Sequence, residues 1–197
     1  LEAQVVDLAD STAYDMHDIE DGLMASMFGE EDLDRGSQLW RRSSVEVEAR
    51  HPGFLAASDD AKLRVKRVAN QIIKTCINDL ISASHERLQE SGVASPEEAR
   101  ASRRMLIGHS RSVQKEVQEL QAFLHEHFYR HPHLMELSEH ARRVLKALFA
   151  AYVEHPGEMS PWYRTWSDQV GTPRAVCDYL AGMTDRFAEQ EFARLVG

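Results

Sequence analysis

The sequence predicts an all-α fold, on three observations. Every apolar periodicity fits a helix of ~3.6 residues per turn, and no segment alternates apolar and polar residues over the length of a strand. The third is a repeated start signal, a capping residue followed by Pro, at Ser95–Pro96, Ser160–Pro161 and Thr172–Pro173. At 197 residues, with 43% hydrophobic and 28% charged side chains, the chain has ordinary globular composition. No fixed-period repeat, low-complexity tract or linker divides it, so residues 1–197 read as a single all-α region.

The first helix is expected over Ala3–Phe28. A second, Gln38–Arg50, is capped by Ser37 and stopped by Pro52–Gly53. A third starts at Ser58, with Asp59 and Asp60 in a first turn where acids suit the helix dipole, and reaches Glu90 before Gly92. Its buried seam is Val65, Val68, Ile72, Cys76, Leu80 and Ser84. Ser95–Pro96–Glu97–Glu98 is a capping box opening a short helix before the loop around Gly108. A helix over Ser112–Arg130 buries Val113, Val117, Leu120, Leu124 and Phe128. Another spans Leu134–Glu154 and ends at His155–Pro156–Gly157, and a final helix carries the chain to its end.

The longest apolar run is far shorter than the ~20 residues of a membrane span, and no basic region followed by an apolar stretch opens the chain. Cys76 and Cys177 both lie in apolar helical patterns and read as small core residues. A cytoplasmic protein without membrane contact is expected. The net charge of −9 argues against general nucleic-acid binding and leaves nucleic acid at most an effector's role. The chain opens on Leu1, within a helical pattern, as a piece of a longer polypeptide would.

The first helix carries the densest chemistry. With ~100° of rotation per residue and Asp10 as zero, Tyr14 falls at about 40°, His17 at about −20°, Asp18 at about 80° and Asp21 at about 20°. Val5, Leu8, Met16, Ile19 and Leu23 fall between roughly 160° and 240° and form the core stripe. The acids have few Lys or Arg neighbours three or four residues away, so a merely solvated face would carry uncompensated repulsion of a few tenths of a kcal/mol per pair. Tyr14 places a flat ring suited to stacking on a sugar or base in the middle of that face. The clustering predicts that Asp10, Tyr14 and Asp18 project into a common cleft.

The run Asp10-x-x-Ala13-Tyr14-x-x-His17-Asp18-x-x-Asp21-Gly22, preceded by Glu2-Ala3-Gln4-Val5, resembles a helix of the dGTPase-like deoxynucleoside triphosphate triphosphohydrolases of the HD superfamily. The likeness continues in Phe123-Leu124, in Tyr129-Arg130-His131-Pro132, and in Val176-Cys177-Asp178-Tyr179-x-Ala181-Gly182-Met183-Thr184-Asp185-Arg186. It implies the C-terminal part of an HD-domain-like helical fold. It also implies hydrolysis of a deoxynucleoside triphosphate at the α-phosphorus, releasing deoxynucleoside and tripolyphosphate with a divalent ion such as Mg or Mn. In that family a His, a His–Asp pair and a distant final Asp hold the metal. The final Asp matches Asp10, and the family's deoxyribose contacts match Tyr14 and Asp18. His17–Asp18 therefore resembles the sugar-facing pair and not the metal pair. The other ligands and the general acid are expected upstream of Asp10, outside this chain. Similar enzymes form homo-oligomers, so the implied partners are the nucleotide and further copies of the protein.

Similar enzymes also place basic residues against the triphosphate, and Arg67, then Arg64 and Lys66, are the candidates here. Arg is favoured for its bidentate match to phosphate oxygens. The histidines 125, 127, 131 and 133 look like a metal cluster, but no Glu or Cys is arranged to complete one, and they read as the end of a structural helix. Gly182, inside a helical pattern, signals close backbone packing or subunit contact, with Asp185 and Arg186 expected to pair internally. Trp162, Tyr163 and Trp166 read as a packing anchor. The alternative from a different class is a catalytically silent helical module for oligomerisation or regulation.

Overall fold

The computed structural model describes residues 1–58 and 60–197; Asp59, expected in the first turn of the third helix, lies outside the described residues. Among the described residues there are eleven α-helices and no strand, so the fold is all-α. None of these helices is long and apolar enough to cross a membrane. The chain divides into two compact units, Leu1–His131 and Pro132–Gly197, and no linker-like composition marks the boundary.

In the first unit, α1 (Glu2–Met24), α3 (Gln38–Arg50), α5 (Ala61–Ser91) and α7 (Arg111–Leu124) pack around one core. Trp40, Leu39, Ile72, Ile19, Leu120 and Leu124 are almost wholly excluded from solvent. Ser37 caps α3 by accepting from the Trp40 N–H at 3.1 Å, as its sequence position predicts. The cap of α5 is Asp60, which accepts from the Leu63 N–H at 3.2 Å, so this helix starts after the expected Ser58. The seam of α5 is buried as read, with Leu80 half-buried, and Gly92 ends the helix at a positive φ of 67°. Ser95 caps α6 (Pro96–Ala101), the short helix opened by the capping box.

Two short helices were not anticipated: α2 (Glu30–Gly36) and α4 (Phe54–Ala57). The first is pinned by Leu33, fully buried, and by Asp32, which accepts from the Gly29 N–H at 2.8 Å. The first helix therefore stops at Met24, short of Phe28, and the chain turns so that Phe28 folds back into the core. Val5, expected in the core stripe, is 43% exposed, because the buried part of α1 lies further on, at Met16, Ile19 and Gly22. The helix expected over Ser112–Arg130 is α-helical only to Leu124. It then widens into a π-helical turn, His125–Tyr129, closed by an Arg130 N–H to His125 carbonyl bond of 3.1 Å.

In the second unit, α8 (Pro132–Glu154) packs against α10 (Thr172–Ala181) and α11 (Asp185–Leu195), and α9 (Pro161–Val170) packs on α10. Leu148, Tyr152 and Val176 are its most buried side chains. Cys76 is a core residue as read, but Cys177 is exposed: α10 buries Ala175 and Val176 instead, which leaves the next position facing outward. Gly182 does not interrupt a helix; it ends α10, and a Cβ there would stand 3.2 Å from the Tyr163 hydroxyl. Asp185 and Arg186 form no ion pair among the described residues. Thr184 caps α11 and Asp185 occupies its first turn. Tyr163 and Trp166 do anchor the packing, through the Tyr163–Tyr179 ring contact and a Trp166 N–H donated to Asp178 at 2.9 Å, while Trp162 is exposed.

Gly22 fixes how α1 meets its neighbours. A Cβ at this position would stand 2.2 Å from the buried Phe28 ring and 3.2 Å from Phe128. Gly22→Ala is expected to destabilise the protein by about 1–2 kcal/mol, because displacing buried rings outweighs the ~1 kcal/mol that Ala contributes in a helix. Gly157→Ala, where an added Cβ meets nothing within 4 Å, is the matched control and is expected to be near neutral. Urea-unfolding midpoints of the two variants check this.

Candidate functional site

The back of α1 is held by Met16 and Ile19, with Gly22 admitting Phe28 and Phe128, so the face carrying Asp10, Tyr14, His17 and Asp21 is turned to solvent. Tyr14 is 60% exposed. Asp18 lies at the edge of this face, half-buried, and its Oδ2 accepts a hydrogen bond from the Tyr129 hydroxyl. No Lys or Arg among the described residues pairs with any acid between Asp7 and Asp21, so the charge on the face is uncompensated.

The described cavities of this unit flank the face and do not cover it. One, of about 450 Å³, is lined by Asp7, Ser11 and Thr12 of α1 together with His109 and Gln121. Another, of about 680 Å³, lies between Glu20, Leu23 and Met24 on α1 and Lys62, Val65 and Lys66 on α5. Neither is lined by Asp10, Tyr14 or Asp18.

The wall of the first cavity is fastened by groups that sequence reading passed over. Asp79 on α5 bonds the His109 ring at 3.0 Å and the Ser110 N–H at 3.0 Å, Ser84 accepts from the Gly108 N–H at 3.1 Å, and Arg87 donates to the His109 carbonyl. Gln4 on α1 accepts from the Ile107 N–H at 3.1 Å. These bonds tie the loop before α7 to both α5 and α1, and no periodicity foretells them.

The three basic candidates diverge. Arg64 is held by Glu30 at 2.8 Å and donates to the Ser58 carbonyl at 2.5 Å, so its charge is already matched. The Arg67 guanidinium lies 6.0 Å from the Phe54 ring centre, in a different cleft with Asn70 and Lys74. Of the three, Lys66 lines a described cavity shared with α1. The reason is rotational: successive basic residues on a helix point in different directions, and α5 has neighbours on several sides.

Among the described residues no three His, Cys, Asp or Glu side chains come together as a group able to hold a metal ion. His127 of the histidine-rich segment is engaged structurally, with its Nδ1 3.0 Å from the Phe123 carbonyl and its ring stacked on Phe123 at 4.2 Å.

Residues 107–194 match the family described as the phosphohydrolase-associated domain. A deoxyguanosinetriphosphate triphosphohydrolase-like protein of Geobacter sulfurreducens is 36% identical over 195 residues, which cover 99% of this chain and 49% of that protein. Similarly named proteins of Deinococcus deserti (37% identical, 99% of this chain and 50% of that protein) and Parvibaculum lavamentivorans (36%, 98% and 48%) match to the same extent. Over nearly its whole length the chain is homologous to proteins named deoxyguanosinetriphosphate triphosphohydrolase-like. It spans about half the length of the curated relatives it matches.

Asp15 is the acid of α1 that faces inward. At about 140° on the same wheel it points toward α7, where Gln121 donates to it at 3.0 Å. Burial pushes its carboxyl up from 3.8 to about 6; the Gln121 bond works against this and nearby Asp18 adds to it. A carboxyl with a raised folded-state pKa binds more protons folded than unfolded, so stability falls as pH rises from about 4 to about 6 and the full cost is present at pH 7. Asp15→Asn is expected to raise stability at pH 7 by about 1 kcal/mol, after discounting for partial exposure, and to flatten the pH dependence across that window. Chemical denaturation of both proteins at pH 4.5 and pH 7 checks it.

Proposed function

We propose that this chain is the C-terminal part of a metal-dependent hydrolase that cleaves deoxynucleoside triphosphates, dGTP among them, to deoxynucleoside and tripolyphosphate. The observation that carries this reading is the uncompensated face of α1, where Asp10 and Tyr14 stand exposed and Asp18 half-buried at its edge, on a helix whose opposite side is locked into the core. The names of the relatives, matched across nearly the whole chain, support it.

In this reading each residue has a separate task. Asp10 is one ligand of a divalent ion whose other ligands, with the general acid, come from outside these 197 residues. Tyr14 packs its ring on the deoxyribose, where a 2′-hydroxyl would collide with it, and Asp18 accepts a charge-assisted hydrogen bond from the 3′-hydroxyl. Lys66 shares a cavity with Glu20, Leu23 and Met24 of α1, whereas Arg64 is paired with Glu30 and Arg67 lines a different cleft, so Lys66 is a better phosphate contact than Arg67 or Arg64. The nucleotide is the partner, in a cytoplasmic homo-oligomer.

The test uses the full-length protein. Asp10→Ala is expected to lose bound metal and dGTP turnover together. Asp18→Asn is expected to keep metal and raise KM, and Tyr14→Ala to keep metal while narrowing the preference for dGTP over GTP. The opposite result for metal content, lost in Asp18→Asn and kept in Asp10→Ala, would assign the ion to His17–Asp18. Wild-type protein with neither metal nor turnover would instead favour a silent helical module. The 197 residues by themselves are expected not to hydrolyse dGTP.

A further inference from the structure

Tyr129 reaches α1 because the helix before it changes pitch. In an α-helix the residue five positions after Leu124 would turn past the buried side. The π-helical turn, closed by the bond from the Arg130 N–H to the His125 carbonyl, reduces that rotation, and Tyr129 at its end donates to Asp18. Single π turns of this kind are concentrated at functional sites.

The contact with α1 has two points, one helical turn apart. Phe128 seats where Gly22 leaves room, 3.2 Å from the position a Cβ would take, and the next residue, Tyr129, donates its hydroxyl to Asp18. The two rings meet edge to face at 5.3 Å. Phe128 is thus the packed half of the grip and Tyr129 the polar half, 51% exposed and open to solvent on its outer side. Among the described residues no donor bonds the second carboxylate oxygen of Asp18, which stays available to accept.

We propose that Tyr129 is a positioning residue for Asp18: it holds one carboxylate oxygen so that the other faces the sugar hydroxyl of a nucleotide lying on α1. The proposal rests on the reading of Asp18 as a sugar contact. It gives the segment matched as a phosphohydrolase-associated domain a direct part in the α1 site, because Tyr129 lies within residues 107–194. The phenol shows the other side of the same bond: hydrogen bonding to Asp18, then burial, pushes it up to about 12, so it remains a donor throughout the neutral range.

The experiment is a double-mutant cycle in the full-length protein, with dGTP as the probe. Tyr129→Phe removes the hydroxyl and keeps the ring that meets Phe128. It is expected to raise KM roughly three- to tenfold, as for loss of one hydrogen bond to a charged group at a partly exposed site, with kcat and bound metal unchanged. In an Asp18→Asn background it is expected to add nothing, because its effect passes through that carboxylate. If Asp18→Asn raises KM and Tyr129→Phe does not, or if the two effects simply add, the positioning role is overturned while the sugar reading stands. If Asp18→Asn leaves KM unchanged, the sugar reading fails and the proposal fails with it.

Discussion

The close approach at Gly22 is the constraint on which the first unit depends. Hydrogen is the only side chain that leaves room for both Phe28 and Phe128 against α1. Phe28 in that position closes the turn after α1 and meets Phe123 edge to face at 5.2 Å, which joins α1 to α7. Phe128 in that position fixes the end of the π-helical turn, and with it the neighbour that bonds Asp18. A packing requirement in the core therefore decides where a polar group stands at the surface. Because close-packed interiors transmit small changes in volume, the Asp18–Tyr129 bond depends on how Phe28 and Phe128 pack at Gly22.

Electrostatics sorts the acids of α1 into different roles although they are chemically alike. Asp15, turned toward α7, is protonated more readily than a free carboxyl because burial disfavours its charge. Asp18, at the boundary, has a hydrogen-bond donor on one oxygen. Asp10 and Asp21 face water with no cation paired to them among the described residues. Repulsion between such charges is tolerable on an isolated surface, but it also makes the face a strong attractor for a cation or for a donor-bearing ligand. The neighbouring basic residues of α5 do not relieve it, since Arg64 is spent on Glu30 and Arg67 lies over Phe54.

The second unit is built by other means. Tyr152 is fully buried, yet its hydroxyl reaches Glu191, which is in turn paired with Arg194 at 2.7 Å; Arg194 also meets Glu158 at 2.6 Å. Hydrogen bonding to that carboxylate and burial both raise the phenol's pKa, with burial the larger cause. The Tyr152, Tyr163 and Tyr179 rings supply the apolar contact around this polar link, at centroid distances of 4.8 and 5.2 Å.

Local chemistry made much of this legible in advance. Helix starts at Ser37 and Ser95 follow from a hydroxyl that satisfies an orphan N–H, and the buried seam of α5 follows from its apolar period; neither needs knowledge of distant contacts. The shared face of Asp10, Tyr14 and Asp18 follows from helical rotation alone. The sequence could not say which half of α1 would be buried, that Cys177 would face outward, that α7 would widen before Tyr129, or that Arg64, Lys66 and Arg67 would part company. Each of these depends on what a helix meets. Periodicity specifies directions around an axis, whereas burial, a π turn and a side chain's partner are set by neighbours far along the chain, and only the packed structure brings them within reach.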